Sequence, residues 1–235
     1  IRDRTGTGVG MNALLSRSLG EHKFKEANKI GVNAAFLYFL SYLVFLILGF
    51  TVVKPFYASQ IKGADAEIME MGIEYLRTVM IFSFGLLAQI YFERLLTSTG
   101  KTLFSMTSQL CGALTNIILD PIMIFGLLGC PAMGVTGAAV ATVIGQCVAA
   151  VVAFTCNHKF NTEIKIHFHG FRPDIKIIGT IYAIGVPSII MQSIGSVMTY
   201  SMNRILIAFS STATAVFGVY SVSYTHLRAH ETLRH

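Results

Sequence analysis

Asn116 and Asp120 stand four residues apart in an apolar stretch, Leu103–Leu128, that is long enough to cross a bilayer as helix. One turn of separation puts both side chains on one face, where a carboxylate and an amide oxygen reach the same ion. Pro121 follows directly. Proline has no N–H, so the Ile117 carbonyl four residues earlier loses its helical donor, and a helix usually kinks there. Carboxylate, amide oxygen and freed carbonyl are ligands for a hard cation such as sodium, or a seat for a proton. The alternative is that Asp120 only caps or pairs with a neighbouring helix and binds no ion. In either case a carboxylate at bilayer depth costs about 2.5–3.5 kcal/mol on insertion scales, so it must face protein or a water-filled cavity rather than lipid.

The pair belongs to a longer stripe. Ser105, Gln109, Gly112, Asn116 and Asp120 recur at steps of four, three, four and four, which is one face of a helix; Leu, Ile, Met and Phe fill the others. A second stripe, Ser188, Gln192, Ser196, Thr199 and Asn203, runs along Ile177–Phe209, with Pro187 as a bend and Gly195 as a close-packing point. From these two stripes Gln109, Gln192, Ser196 and Asn203 are candidates to line a substrate cavity. Ala138, Thr142, Gly145 and Ala149 form a small-residue face in Gly134–Cys156; its first use is tight helix packing, with Thr142 also able to lend a hydroxyl to a cavity. Aromatic residues such as Tyr38, Tyr42, Phe84 and Tyr91 are mostly packing or lipid-facing; any that face a cavity would suit flat lipophilic cations.

The elements that must carry these residues follow from composition. Of 235 residues, 53% are hydrophobic and 13% charged, against about 25% charged in an ordinary soluble domain. The apolar residues fall into blocks: Ile30–Val53, Gly72–Phe92, Leu103–Leu128, Gly134–Cys156 and Ile177–Phe209, with a partial block at Thr5–Leu19 and another from near Thr212 to Tyr220. The fold class is therefore all-α, a polytopic membrane helix bundle. Lys and Arg concentrate in every second connector, Arg17–Lys29, Arg94–Lys101 and Asn157–Lys176, which the positive-inside rule places in the cytoplasm. The formal net charge of +6 thus reports membrane orientation, and no nucleic-acid partner is expected. Cys111, Cys130, Cys147 and Cys156 form no CxxC pair and read as small apolar filler. His158, His167 and His169 read as solvated residues of a connector.

Two end segments break the pattern. Residues 1–4 (IRDR) set three charges against a membrane helix, and residues 221–235 interrupt an apolar block with three histidines and two arginines. Both read as adapter-derived, non-native sequence and are excluded from the fold.

Several strings resemble the multidrug and toxin extrusion (MATE) family: GTGVGMNALLSRSLGEHKFKEA at Gly6–Ala27, ERLLTSTGKT at Glu93–Thr102, NIILDPIMIFGLLG at Asn116–Gly129, MGVTGAAVATVIGQ at Met133–Gln146 and GVPSIIMQSIGSVM at Gly185–Met198. NIILDP followed by GVTGAAVATVIGQ is the specific combination. The resemblance implies a twelve-helix antiporter of two six-helix lobes that exports cationic, lipophilic compounds in exchange for sodium or protons. This chain would then be a fragment. Residues 5–156 would be the first lobe from within its second helix, 157–176 a cytoplasmic interlobe loop, and 177–220 the start of the second lobe. In the family's first-lobe cation site, an asparagine and an aspartate one turn apart match Asn116 and Asp120. A threonine of the sixth helix matches Thr142 best, with Thr136 as the fallback. The first-helix aspartate of that site lies outside this sequence. Some members carry a glutamate in the seventh helix; Gly185–Met198 has no acid, so a second-lobe cation site of that subtype is not expected.

The resemblance further implies a monomeric transporter in the inner membrane of a bacterium, with small organic cations and the bilayer as partners, and with sodium or a proton as coupling ion and no cofactor. The competing transporter is a lipid-linked saccharide flippase of the same superfamily. That would need Arg and Lys in its cavity to hold pyrophosphate, whereas the spans here are nearly free of them, with Arg77 and Arg204 near span ends. An enzyme would need a partner for Asp120, and its own span offers neither a second acid nor a histidine.

Overall fold

The computed structural model describes residues 6–60, 66–129, 131–161, 163–164, 173–209 and 216–220. The two end segments, Cys130, Thr212, and Lys165, His167, His169 and Arg172 of the long connector lie outside the described residues. Helices dominate the remainder: α1 (Gly6–Gly20), α2 (Phe24–Thr51), α3 (Val53–Gln60), α4 (Ala66–Ile81), α5 (Phe84–Ser98), α6 (Thr102–Phe125), α7 (Gly134–Phe160) and α8 (Ile175–Phe209). Among the described residues α2, α6, α7 and α8 are each long and apolar enough to cross a membrane, and α4 with α5 makes a fifth span if taken as one bent helix. The chain is a polytopic helical membrane protein.

Three details depart from the sequence reading. The expected single span Gly72–Phe92 is broken at Phe82-Ser83, where α4 and α5 meet at 48°. Ser83 N–H bonds the Met80 carbonyl at 3.4 Å, three residues back, so the ladder tightens for one turn before resuming with Leu87 N–H to Ser83 O at 3.0 Å. Gly85, two residues after Ser83, lets the start of α5 press against α7: a Cβ there would lie 2.7 Å from the Cys147 sulfur. Secondly, the connector after α2 is partly helical, as α3. Thirdly, α5 continues past Phe92 to Ser98, which takes Glu93, beyond the expected span, and the first half of the expected connector Arg94–Lys101 into a helix.

The chain divides into two compact units, one ending at Val186 and one beginning at Pro187, so the division falls within α8. In the first unit the core is formed by Met11 and Leu15 of α1, Ile30, Ala34 and Leu37 of α2, Leu87, Tyr91 and Leu95 of α5, and Ile181 of α8. Polar ties gather one end of this unit. Asn157 of α7 donates to the Phe92 carbonyl of α5 at 2.8 Å, Lys101 donates to the Phe160 carbonyl, and the Asp174 N–H donates to Asn33 of α2 at 2.9 Å. The connectors α1–α2, α5–α6 and α7–α8 therefore share one end, the arrangement that their common basic charge requires.

Two of these turns use the same stop. Lys101 N–H reaches back to the Leu96 carbonyl at 2.9 Å around Gly100 (φ 76°), and Lys23 N–H reaches the Ser18 carbonyl at 2.9 Å around His22 (φ 57°). Both close a left-handed helix stop, but only the first has glycine where the backbone wants it. His22→Gly is expected to raise the stability of the purified chain by about 0.5–1 kcal/mol, read as a higher melting temperature in detergent.

Candidate polar site between α6 and α7

The face of α6 predicted to be polar is the face that meets α7. Of the predicted stripe Ser105 and Gly112 are buried, Asn116 and Asp120 half-buried and Gln109 exposed; Ser108, outside that stripe, is buried as well, while Leu103, Met106, Leu110 and Ile117 lie exposed on the other side. The approach is close because the facing residues are small. A Cβ at Gly112 would sit 2.7 Å from Ala149 Cβ and 2.9 Å from the Gly145 carbonyl oxygen, and one at Gly145 would sit 3.2 Å from Asn116 Cβ. The small-residue face of α7 is thus the seat of α6, as its spacing implies.

This seam joins Asn116, Asp120 and Thr142. The Asn116 amide has two orientations related by a half-turn. In one, its nitrogen lies 3.4 Å from both Asp120 Oδ1 and Thr142 Oγ1. In the other, which satisfies both ends of the amide, it donates to Asp120 Oδ2 at 3.1 Å and accepts from the Thr142 backbone N–H at 3.2 Å. Thr142 Oγ1 donates to the Ala138 carbonyl at 2.9 Å, leaving its lone pairs toward Asn116. Thr142, and not the fallback Thr136, is the threonine that meets Asn116. Among the described residues no base lies within ion-pair distance of Asp120; the ion pairs there are Arg17–Glu21 at 3.0 Å and Lys23–Glu21 at 2.7 Å. Those two cations hold the exposed Glu21 carboxyl below its usual range, Lys23 contributing most through its hydrogen bond.

The remaining predicted cavity residues divide between the two units. Gln109, on α6, is exposed but turned to Glu93, to which it donates at 3.0 Å. Gln192, Ser196 and Asn203 lie on α8 beyond Pro187, in the second unit, Ser196 exposed and the other two half-buried; Ser196 donates to the Gln192 carbonyl at 3.3 Å. In the first unit Tyr38, Tyr42, Phe84, Tyr91 and Phe92 line an apolar recess between α2 and α5, with Tyr38–Tyr91 and Tyr42–Phe84 packed edge to face at 5.6 and 5.8 Å.

Sequence reasoning missed Glu93. Hydropathy ends a span at Phe92, because Glu93-Arg94 follows, yet the helix runs on and Glu93 is 9% exposed. The available signal was Gln89, one turn earlier, as a ready partner: it donates to Glu93 at 2.8 Å.

Comparison with known proteins places this geometry. The MatE family model matches residues 4–122. The multidrug export protein MepA of Staphylococcus haemolyticus (strain JCSC1435) is 26% identical over 214 residues, covering 90% of this chain and 46% of that protein. Among solved structures, the inward-facing conformation of a multidrug resistance MATE family transporter of the MOP superfamily superposes with a TM-score of 0.79 at 27% identity, over 90% of this chain and 47% of the other. A MOP superfamily transporter from Pyrococcus furiosus Vc1 (DSM3638), whose binding pocket is described as having reverse polarity, superposes with a TM-score of 0.80 at 26% identity, over 93% of this chain and 48% of the other. The chain spans about half the length of the curated relatives it matches.

Proposed function

The chain belongs to the MatE family of multidrug efflux transporters, and from that membership we propose that it forms part of a secondary antiporter that exports cationic, lipophilic compounds in exchange for sodium or protons. One observation carries the proposal: Asp120 is held by Asn116, which is itself tied to Thr142 across the α6–α7 seam, with no base beside the carboxylate among the described residues. A carboxylate at membrane depth without a fixed counter-charge is stable when a mobile cation visits it. Asp120 supplies the charge, Asn116 and Thr142 supply neutral oxygens, and the Ile117 carbonyl, left without a helical donor by Pro121, adds a fourth.

Exchange then follows from differential affinity. A sodium ion or proton on Asp120 favours one arrangement of the transporter and a bound drug cation favours the other, and neither shifts the equilibrium by more than its affinity difference between them. Gln109, Gln192, Ser196 and Asn203 are the polar groups proposed to line the drug path. The paucity of basic residues in the spans favours organic cations over the pyrophosphate of a lipid-linked saccharide. The proposed setting is a bacterial inner membrane, with the transporter acting as a monomer.

The test is transport. A full-length transporter containing this chain, reconstituted in vesicles, should move a fluorescent lipophilic cation against its gradient when an opposing sodium or proton gradient is imposed. Movement that ignores both gradients, or a steady ionic current with no drug exchange, would refute antiport.

A further inference from the structure

Glu93 lies buried on α5, and its side-chain hydrogen-bond partners among the described residues are all neutral. Gln89 Nε2 of its own helix donates to Oε1 at 2.8 Å. From α6, Gln109 Nε2 donates to Oε2 at 3.0 Å, and Ser108 Oγ stands 3.3 Å from Oε1. From α7 the Ala149 carbonyl closes the cluster, 3.0 Å from Ser108 Oγ. No charged side chain of α1, α2, α6 or α7 is within ion-pair distance of Glu93 among the described residues. Arg94 is next in sequence, and adjacent helical residues do not face each other.

The arithmetic of protons is informative at Ser108. This hydroxyl is fully buried, has one proton, and has two acceptors within reach. The shorter contact is to the Ala149 carbonyl. When Ser108 donates there, its lone pairs face Glu93 Oε1, 3.3 Å away, where they can accept a proton from the carboxyl. A protonated Glu93 supplies it, giving a continuous chain from Glu93 O–H to Ser108 Oγ and from Ser108 O–H to the Ala149 carbonyl. Ionised Glu93 would instead draw the Ser108 proton to itself, and would leave a full charge buried with only neutral partners.

We propose that Glu93 is a proton-binding site of the first unit, separate from Asp120, and that its proton is held through Ser108 against α7. Taking up the proton removes one negative charge from the α5–α6–α7 junction and switches the single Ser108 hydrogen bond from α5 to α7. Gln109, on the exposed edge of the cluster, lies where the proton would pass. Gln109 and Asp120 share one face of α6 about 16 Å apart along its axis, so the stripe joins two acid sites near opposite ends of the same helix. As a coupling site Glu93 rests on the antiport reading; as a proton-binding site it rests on this geometry alone.

Infrared spectroscopy of the full 235-residue chain in lipid nanodiscs tests the assignment. At neutral pH the carbonyl stretch of a protonated carboxylic acid should be present, should disappear in Glu93→Gln, and should persist in Asp120→Asn. Ser108→Ala, which removes the acceptor of the acid proton, should shift the same band; should Glu93→Gln not fold, that shift carries the test. A spectrum unchanged by Glu93→Gln, or a band indifferent to Ser108→Ala, would overturn the proposal. The measurement uses neither drug nor gradient, so its failure leaves the antiport reading intact, and failure of exchange leaves this band unaffected.

Discussion

Asp120→Asn in a full-length transporter containing this chain is expected to reduce gradient-driven drug efflux to background while leaving insertion and folding intact. The substitution keeps size and shape, and Asn116 can still donate to the new amide oxygen, so the α6–α7 seam has no reason to open. What disappears is the only full charge of the cluster. Removing one partner of a partly buried charge pair costs about 3 kcal/mol, which is roughly a hundredfold in affinity for a monovalent cation. A driving ion that binds so weakly no longer distinguishes two conformations, and exchange loses its energy source. Expression, melting temperature and drug resistance should be measured together. Unchanged resistance in a well-folded variant would remove Asp120 from the mechanism.

Gly112→Val is expected to have the largest effect on stability. The pairing of α6 with α7 is the most extensive of any two helices here. It depends on absent side chains: at Gly112 a Cβ meets Ala149 Cβ at 2.7 Å and a backbone oxygen at 2.9 Å, and at Gly137 it meets the Met123 carbonyl oxygen at 2.5 Å. Backbone atoms cannot step aside as a flexible side chain can, so the helices must separate. Overpacking of this kind costs about 1–3 kcal/mol, more than the roughly 1 kcal/mol that leaving glycine gains in helix propensity. Separation also withdraws Asn116 from Thr142, so any stabilisation by added sodium should be lost too. Melting in detergent with and without sodium is the measurement, and Gly20→Ala, where a Cβ meets nothing within 4 Å, is the control. Equal melting of Gly112→Val and the unsubstituted chain would contradict the packing described.

Much of this was legible in the sequence because lipid leaves few choices. Apolar length, alternating basic connectors and a polar stripe on one face are all local signals, and they were enough to pair Asn116 with Asp120; Thr142 was added to them by the family resemblance. The missed features depend on what lies across from a residue. The break at Phe82-Ser83 contains no proline and follows from how closely Gly85 approaches Cys147, a contact between residues 62 positions apart in the numbering. Glu93 was set outside its span because a carboxylate beside an arginine looks like a helix end. Only the donors of α6 reveal that the helix continues around it. Gln109, a candidate cavity residue, also donates to Glu93, a partner on another helix that no local signal shows.

The α6–α7 seam has a consequence for biogenesis. Asn116, Asp120 and Thr142 come from two long helices that follow one another closely in sequence, so no distant segment is needed to bring them together. A ribosome delivering α6 exposes an acid to hydrocarbon only until α7 emerges, and the hairpin then shelters it before the rest of the transporter is made.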